Sequence, residues 1–474
     1  MSLPAPTAYP VLVIGGGISG LACAYRLHRA GIPVRVLEAG DRPGGVIATE
    51  KKDGFQFEVG PQSFLSTEPL VELIDALGLN DQLLHANPRA PRYILLGGRL
   101  VPAPLAPSSL LATPLFSAGT KWRLLTEILR RTRPPAEDES IAAFVRRKFG
   151  DELLARFVAP FVSGVYAGDP ERLSLRAAFP KLHEFEARYG SVVRGAMKSR
   201  PTKGTPRAGL CSFRDGMETL PRAIAAHLGD SLLLETSVAS LRHGKADGKP
   251  YFEAEIARHN HRETLAASAV VIATPMDIAS QILLGLSSEF ASLFSRIECV
   301  PVAVVSACYR REQMQRAPDG FGFLVPRDEK LRVLGTVFSS SLFTGRAPDG
   351  MVSITSFAGG ATDPELCELS DAEITETICA EVARVLGIMG NPVVTRLHRH
   401  ARALPQYNLG HDQIVHSLQA LTAATPGLFL AGNYLSGPSV GACVEQANRT
   451  AEAVRDYLAS SRTGFSLSGF RSIA

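Results

Sequence analysis

The hydrophobic pattern at the start of the chain alternates between strand-like and helix-like segments. Val11–Ile14 and Val34–Leu37 are short apolar runs that predict buried strands. Residues 21–29 between them carry apolar side chains at helical spacing. A strand, helix, strand order predicts a right-handed crossover unit in a parallel sheet.

The pattern changes twice further along the chain. Residues from about 67 to 200 indicate mainly helices and proline-rich loops, and a Ser140 N-cap opens one of the helices. Strand signals return after residue 207, and apolar strands then dominate to residue 357. The predicted helices cover 70–77, 121–131, 140–149, Asp371–Leu386 and 441–458, and the predicted strands cover 232–234, 251–256, 269–273, 300–309, 321–325, 331–338, 351–357 and 428–431.

The final strand, glycine turn and helix repeat the order found at the start of the chain. We therefore predict an α/β and α+β protein with a discontinuous Rossmann-type nucleotide-binding domain, a mixed-sheet substrate domain and a helical subdomain. The nucleotide-binding domain is expected to comprise residues 1–85, 206–275 and 416–474. The helical subdomain is expected over 86–205 and the sheet domain over 276–415.

Composition narrows the class of protein without naming an activity. The chain has 474 residues, of which 45% are hydrophobic and 20% charged, as in an ordinary globular protein. Its seven cysteines form no CxxC pair and no histidine cluster has zinc spacing, so we predict a reducing, cytoplasmic compartment and no metal. The first ten residues show no basic region before an apolar stretch, so no cleaved signal is predicted.

Two features of the first third of the chain bear on membranes. The uncharged stretch 100–120 contains four prolines, which exclude a spanning helix but leave room for contact with a bilayer surface or an apolar cavity. Basic residues cluster nearby, and they indicate either a solvated helix face or attraction to anionic lipid or a carboxylated substrate. They are Arg130, Arg131, Arg133, Arg146, Arg147 and Lys148. No aromatic residues interleave with them, which disfavours a nucleic-acid partner.

The loop between the first strand and helix has the spacing of a dinucleotide fingerprint. Gly15, Gly17 and Gly20 spell GxGxxG, where the glycines serve a tight turn, close approach to a diphosphate, and close helix packing. The phosphates are expected at the helix N-terminus. Glu38, at the end of the second strand, is placed to accept hydrogen bonds from a ribose diol. The motif alone leaves NAD and FAD open, while the carboxylate disfavours NADP.

Further segments carry a family resemblance. Asp41-Arg42-Pro43-Gly44-Gly45 and residues 58–64 (EVGPQSF) resemble flavin-binding segments of the amine oxidase and protoporphyrinogen oxidase flavoproteins. Residues 166–170 (YAGDP), 320–326 (GFGFLVP), 404–411 (LPQYNLGH), 430–433 (LAGN) and 439–441 (SVG) are similar to the protoporphyrinogen oxidase family in particular. These segments occur in order over nearly the whole chain.

The resemblance implies a set of site residues. For substrate it implies Arg92 as the grip on a propionate, Gly168 beside the tetrapyrrole, and Leu324, Leu334 and Phe343 as apolar clamps, although Phe338 could replace Phe343. For non-covalently bound FAD, the glycine loop, the second glycine doublet and the two later segments together give Gly15, Gly16, Gly17, Ile18, Ser19, Gly20, Glu38, Ala39, Arg42, Gly44, Gly45, Val46, Gly60, Pro61, Gln62, Ser63, Val238, Asn433, Pro438, Ser439 and Val440.

The reaction implied by the resemblance is the oxidation of protoporphyrinogen IX to protoporphyrin IX in haem biosynthesis, with molecular oxygen as acceptor and hydrogen peroxide as product. No catalytic dyad is expected, because the chemistry belongs to the cofactor. His28, His183, His398, His400 and His411 are accordingly expected to be structural. Peripheral membrane contact and a homodimer are compatible with the resemblance, and the sequence leaves oligomeric state open.

Three alternatives stay open on the sequence. Coproporphyrinogen III carries four carboxylates where protoporphyrinogen IX carries two, and the basic residues between 188 and 207 suit either substrate. An amine oxidase or a carotenoid desaturase uses the same scaffold, and Cys443 is the one cysteine in the C-terminal flavin segment. A non-catalytic flavin-binding protein of the haem pathway would carry the same cofactor motifs.

Overall fold

The fold was analysed in a computed structural model, which describes residues 9–104, 107–199, 209–246, 249–259 and 261–462. Its strands, in chain order, are β1 Val11–Ile14, β2 Val34–Leu37, β3 Thr49–Lys52, β4 Phe55–Glu58, β5 Phe64–Leu65, β6 Leu83–His85, β7 Arg92–Leu96, β8 Arg99–Pro102, β9 Leu210–Phe213, β10 Leu232–Leu233, β11 Thr236–Ala246, β12 Lys249–Arg258, β13 His261–Ala267, β14 Ala269–Ile272, β15 Cys299–Arg310, β16 Gly322–Leu324, β17 Val333–Val337, β18 Met351–Gly359, β19 Val394–Pro405 and β20 Leu428–Leu430.

The α-helices alternate with these strands and are concentrated in the first half of the described chain. They are α1 Ile18–Arg29, α2 Glu68–Ala76, α3 Pro107–Ala112, α4 Ala118–Thr126, α5 Ile141–Lys148, α6 Asp151–Leu153, α7 Ala159–Tyr166, α8 Leu175–Ala178, α9 Pro180–Tyr189, α10 Val192–Lys198, α11 Thr219–Leu228, α12 Met276–Leu283, α13 Ser288–Phe294, α14 Ser339–Leu342, α15 Asp371–Leu386, α16 His411–Ala423, α17 Asn433–Ser436 and α18 Val440–Arg462.

Segments that are distant in sequence build the nucleotide-binding domain. Its parallel five-stranded sheet has the order β10-β2-β1-β14-β20, so strands from the N-terminal, middle and C-terminal parts of the chain lie side by side. Every residue of β1 and β14 is buried, because both faces of the sheet are covered, one by α1 and α18. The prediction of a discontinuous α/β domain is confirmed.

A second, seven-stranded sheet forms the other large core. Its order is β19-β15-β18-β17-β16-β7-β8, and all pairs are antiparallel except β16 with β7. Ile374, Ile378 and Val382 of α15 pack on one face. The predicted bounds of α15 are confirmed, and a capping box between Ser370 and Glu373 fixes its start. Val302, Val304 and Leu334, on the opposite face, pack with Ala167 immediately after α7.

Two strands of this sheet lie where helices and loops were expected. β7 and β8 form a hairpin around Gly97 and Gly98, and β7 pairs in parallel with β16 from more than 200 residues later. The reading of residues 67–200 as helices and loops was therefore wrong over this hairpin. Pairing with such a distant strand leaves no trace in local periodicity. The predicted limits of the domains otherwise stay predictions.

Helices α4 to α10 form a separate layer, which a buried group of charges holds together. We call Glu127, Arg147, Lys148 and Glu186 the helical charge cluster. Lys148 donates to Glu127 at 3.1 Å, lies 3.3 Å from Glu186, and its side chain is only 2% exposed. Arg147 binds Glu186 through both terminal nitrogens, and Arg146 pairs with Glu171 and Asp151. Arg146 and Arg147 are thus exposed, as a solvated helix face requires, whereas the same expectation is wrong for Lys148, which is buried.

A different buried ion pair connects β4 with the segment between α14 and β18, a strand of the seven-stranded sheet. We call Glu58, at the end of β4, and Arg346 the seam pair. Their charged groups are 3.4 Å apart, and each side chain is 2% exposed. Arg346 also donates to the Ser212 hydroxyl and the Phe213 carbonyl, and its guanidinium lies over the Phe343 ring. The seam pair thus fixes residues close to both predicted ligand sites.

Candidate cofactor and substrate site

The three glycines of the first loop have three different environments. Gly15 has a φ of +109°, and a Cβ there would lie 2.6 Å from the Ala273 carbonyl oxygen. A Cβ on Gly20 would overlap the Gly15 carbonyl oxygen, whereas one on Gly17 would meet nothing within 4 Å. Gly15 thus makes the tight turn, Gly20 allows close packing of the helix, and Gly17 leaves open space for a ligand, as the spacing of the motif predicts.

The N-terminus of α1 is open toward this loop. Its N-cap, Gly17, offers no side-chain hydrogen bond, and the first turn contains no acidic residue. The first backbone N–H groups of this 12-residue helix are therefore free to bind an anion, and the helix dipole favours negative charge there. This arrangement suits a diphosphate.

Glu38 lies beside the same loop at the end of β2. One carboxylate oxygen accepts from Gly16 N at 2.6 Å and the other from Gly40 N at 2.8 Å. A carboxylate can accept about four hydrogen bonds, so positions remain for two hydroxyl donors. The free acceptor positions of Glu38 fit the two hydroxyl groups of the ribose of a dinucleotide.

Residues from all three separated segments of this domain line one cavity of about 1080 Å³. Many of the residues predicted to bind cofactor line it, namely Gly15, Gly17, Ile18, Ser19, Glu38, Ala39, Gly44, Gly45, Val46, Pro61, Val238, Asn433, Pro438 and Val440. Its volume exceeds the ~300–1,000 Å³ of common ligand sites and suits an extended ligand. The cavity, the open helix terminus and the carboxylate together fit FAD.

The other predicted cofactor residues are not among those that line the cavity, and several of them stabilise the turns beside it. Arg42 donates to the Gly45, Ile47 and Pro43 carbonyls and thereby closes the second glycine turn. Gln62 closes its own turn by donating to the Glu58 and Gly60 carbonyls. Of the remaining five, Gly16 lies in the first loop, Gly20 in α1, and Gly60 and Ser63 between β4 and β5, while Ser439 accepts from Ala442 N at the start of α18. Direct cofactor contact by any of these residues stays a prediction.

Sequence reasoning missed part of the cavity wall. Thr274–Pro275 follow β14 at the carboxyl edge of the parallel sheet, where ligands of such sheets bind, and this position could have identified them. Asp277 and Arg402 line the cavity and form an ion pair at 2.8 Å. Cys443 lines it too, and burial raises the pKa of its thiol. A thiol protonated at neutral pH is a poor nucleophile.

The predicted substrate residues lie on the seven-stranded sheet and near the C-terminus of α7. Arg92 and Leu324 share one sheet face through the β7–β16 register, and Arg92 is exposed above the Phe321 ring. Gly164 of α7 packs directly on Leu324. Leu334 packs with Ala167, next to Gly168. The structure thus brings Gly168, Leu324 and Leu334 to one region.

Phe343 belongs to a different cluster from Leu334. It is buried with Ala86 and Leu342, and Phe321 connects this cluster to Arg92. Phe338, the alternative clamp, packs on Phe323 in the core beneath the opposite sheet face. The role of Phe343 stays a prediction, and the position of Phe338 disfavours the alternative. Most of the basic segment 198–207 lies outside the described residues.

Comparison with known proteins adds four findings. The model of the family described as flavin-containing amine oxidoreductase matches residues 18–455. The chain is 35% identical to protoporphyrinogen oxidase 1 of Arabidopsis thaliana chloroplasts, over 94% of this chain and 88% of that protein. It is 29% identical to coproporphyrinogen III oxidase of Bacillus subtilis, over 94% and 98% respectively. A crystal structure from Exiguobacterium sp. 255-15, described as a candidate protoporphyrinogen oxidase, superposes with a TM-score of 0.79 at 26% identity, covering 94% and 98% of the two chains.

Proposed function

Because the chain belongs to the flavin-containing amine oxidoreductase family, we propose that this FAD-dependent oxidoreductase converts protoporphyrinogen IX to protoporphyrin IX. One observation carries the proposal. A single cavity joins the glycine loop, Glu38 and the turn at Asn433, and Ala403 and Pro405 of β19 also line it. Leu404, between these two, packs in the cluster of Leu334 and Ala167. The cofactor cavity and the apolar substrate region therefore share one strand.

Bound FAD supplies a flavin ring that accepts a hydride equivalent from the substrate. The role of the chain is to hold the macrocycle at reacting distance, about 3 to 3.5 Å, and to exclude water. Leu324 and Leu334 offer apolar surface for the pyrrole rings, and the turn at Gly168, which packs closely on Gln406 and Leu173, lies beside them. Successive two-electron steps require molecular oxygen as acceptor and release hydrogen peroxide.

The direct test is the purified holoenzyme with protoporphyrinogen IX, followed by porphyrin fluorescence and oxygen uptake. We expect fluorescence to rise as oxygen is consumed, with hydrogen peroxide formed. A yellow protein that leaves the porphyrinogen colourless in air would overturn the proposal and favour a non-catalytic flavoprotein. Denaturation adds a second criterion, because flavin that stays with the precipitated protein would show covalent attachment.

Coproporphyrinogen III is the second candidate substrate, and the Bacillus subtilis relative favours it. The two porphyrinogens differ in the number of carboxylates, so they probe the same slot. Parallel assays under identical conditions should give the higher kcat/KM with protoporphyrinogen IX. A higher value with coproporphyrinogen III would reassign the substrate and leave the reaction type unchanged.

Arg92 is proposed to bind a substrate carboxylate. Its planar guanidinium can donate two parallel hydrogen bonds, and it is exposed at the edge of the proposed slot. Arg92→Ala should raise KM about tenfold or more and lower kcat much less, because the contact is a positioning one. Arg99→Ala is the matched control, since Arg99 is exposed on the other strand of the same hairpin. An unchanged KM would remove Arg92 from the site.

We further propose that the helical layer touches the surface of a membrane from the cytoplasm. No helix in the described part of the chain has the length and apolar character to cross a bilayer. Trp122, Leu125 and Leu129 are 66%, 46% and 77% exposed, and Arg130 and Arg131 are exposed beside them. Apolar side chains flanked by cations suit an anionic lipid surface.

Sedimentation with anionic lipid vesicles tests this contact. The double variant Trp122→Ser with Leu129→Ser should lose most vesicle binding, because it removes the two most exposed apolar side chains of the patch. Met389→Ser, which changes a 62% exposed side chain on the sheet domain, is the control. Equal binding by all three proteins would contradict the proposed contact.

A further inference from the structure

The segment 404–411, which we call the strap, connects the two ligand regions, and the function proposed so far uses only its first two residues, Leu404 and Pro405. It runs from the end of β19 to the first residue of α16. Three of its polar side chains are almost fully buried: Gln406 is 2% exposed, Tyr407 1% and His411 3%. Buried polar groups cost free energy unless they are hydrogen-bonded, so their partners indicate what the strap holds.

The first partner is the turn at the C-terminus of α7. Gln406 Nε2 donates to the Tyr166 carbonyl at 3.0 Å. The next residue, Ala167, has a φ of +48°, and its carbonyl accepts from Ala361 N at 2.7 Å. A Cβ on Gly168 would lie 2.7 Å from Gln406 Oε1. Gln406 therefore sets the position of the turn that carries Gly168.

The second partner is the turn at α17, on the cofactor cavity. The Tyr407 hydroxyl donates to the Asn433 carbonyl, and His411 Nε2 lies 2.9 Å from the Tyr434 carbonyl. Since a carbonyl only accepts, Nε2 of His411 carries the hydrogen in this bond. Burial lowers the pKa of His411, although the bond to Tyr434 opposes this effect, so the ring is neutral at pH 7.

Glycines flank this turn on both sides. Gly432 precedes it with a φ of +156° and Gly437 follows it with a φ of +137°, conformations that only glycine adopts readily. Gly432, Asn433 and Pro438 all line the cavity. The hydrogen bonds from Tyr407 and His411 therefore attach the strap to the cavity wall between these two glycines.

We infer that Tyr407 and His411 are positioning residues, which fix the cofactor-facing turn 433–438 and, together with Gln406, its distance from the substrate-facing turn 166–168. The substrate half of this inference rests on the proposed function, whereas the cofactor half requires only bound FAD. The edge-to-face contact between the Tyr407 and Tyr166 rings, with centroids 5.9 Å apart, links the two turns directly. Hydride transfer makes this spacing matter, because a shift of about 1 Å can cost a hundredfold in rate.

The first experiment compares Tyr407→Phe with the wild-type holoenzyme. The variant keeps the buried ring and removes only the hydrogen bond to Asn433. We expect the dissociation constant of FAD to rise about tenfold, the visible flavin absorption bands to shift, and kcat to fall more than KM changes. Tyr25→Phe is the control, because the Tyr25 ring is 2% exposed and its hydroxyl donates to the Ala76 carbonyl at 3.3 Å, in the packing of α1 against α2. Flavin spectrum and FAD affinity should not change in the control.

A second pair of variants separates the chemistry of the strap from simple packing. His411→Gln retains an N–H donor and should keep the flavin spectrum of the wild type, whereas His411→Leu loses this donor and should shift the flavin bands as Tyr407→Phe does.

A third variant tests the substrate-facing turn alone. Gln406→Met should leave the flavin spectrum unchanged and raise KM for the porphyrinogen, because it removes only the hydrogen bond to the turn 166–168.

The outcomes distinguish this inference from the proposed function. Wild-type flavin bands and FAD affinity in both Tyr407→Phe and His411→Leu would overturn the positioning role, whatever the activity. Wild-type enzyme that binds FAD and oxidises no porphyrinogen would instead overturn the substrate, while the effect of Tyr407→Phe on FAD would still stand. If Tyr407→Phe does not fold, the contrast between His411→Gln and His411→Leu decides.

Discussion

The carboxylates of the helical charge cluster and of the seam pair are all nearly inaccessible to solvent, with side chains at most 2% exposed, yet they behave in opposite ways. Burial alone raises the pKa of any carboxyl. In the helical charge cluster, hydrogen bonds from Arg147 and Thr132 outweigh burial and bring the pKa of Glu186 down to about 2. In the seam pair burial outweighs the nearby Arg346 guanidinium, and the pKa of Glu58 is raised.

The difference lies in the number and charge of the donors. Glu127 accepts from the Ser191 hydroxyl, from Val192 N and Val193 N at the start of α10, and from the Lys148 ammonium. Against burial, these four donors lower its pKa. Glu58 accepts only from neutral donors, Thr49 Oγ1 and Met217 N, and its cation stays 3.4 Å away. Burial also lowers the pKa of Arg346, an effect that the Glu58 carboxylate opposes, and the guanidinium still carries its charge at neutral pH.

Burial therefore does not by itself make a strong ion pair. The fully bonded cluster holds helices that carry no predicted ligand residue between 107 and 166, whereas the weakly bonded pair lies next to the cofactor turn and Phe343. We therefore expect the largest structural penalties in the cluster and the largest functional ones at the seam.

Removal of the cluster's central cation should give the largest effect. Lys148→Met leaves Glu127 and Glu186 buried without their shared ammonium, so we expect a loss of about 3–5 kcal/mol in the stability of the helical layer. Hydrogen exchange at the Val192 and Val193 amides, which bond to Glu127, reports this loss locally.

A matched lysine provides the control for this variant. Lys51 pairs with Asp215 at 2.7 Å, but the two side chains are 56% and 62% exposed. Lys51→Met should therefore cost no more than about 1 kcal/mol. Similar losses in the two variants would refute the claim that the cluster is energetically distinct from a surface pair.

The sequence predicted the cofactor region far better than either buried charge group. The fingerprint glycines, Glu38 and the second glycine turn lie within 31 consecutive residues, 15–45, and each reports a local backbone requirement. The three segments of the parallel sheet were also recognisable, because a doubly covered strand such as β14 is apolar throughout.

Contacts between distant segments explain the failures. Lys148 follows two arginines and looks like part of a solvated face, since no local pattern reveals carboxylates 21 and 38 residues away. β7 is short and pairs with β16, and Gln406 reaches Tyr166 across 240 residues. Periodicity reports which face of an element is buried, but it does not identify the partner.

Removal of the seam cation should cost less stability and more function. Arg346→Met leaves a carboxyl that is already inclined to take up a proton, together with two neutral acceptors, so we expect a loss of about 1–3 kcal/mol at pH 7. Because Arg346 lies on Phe343 next to the proposed slot, KM for the porphyrinogen should rise as well. Thermal unfolding and steady-state kinetics measure the two effects, and a loss as large as that of Lys148→Met would contradict the comparison.

The smallest effect, and the one with the most informative sign, is expected for Glu58→Gln. A carboxyl whose folded pKa is raised is penalised when ionised, and the penalty disappears as the pH falls through that pKa. Glu58→Gln should therefore change the free energy of unfolding by less than about 1 kcal/mol at pH 7. As the pH is lowered and Glu58 takes up a proton, the stability of the wild type should approach that of Glu58→Gln.

Glu186 has the opposite linkage. With an unfolded pKa of about 4.3 and a folded value of about 2, its contribution to stability is complete above pH ~5 and is lost as the pH falls toward 2. Melting temperatures of Glu58→Gln, Glu186→Gln and wild type between pH 2.5 and 8 check both signs. If Glu58→Gln destabilises the protein at pH 7 as strongly as Glu186→Gln does, the number of charged donors is not what distinguishes the two regions.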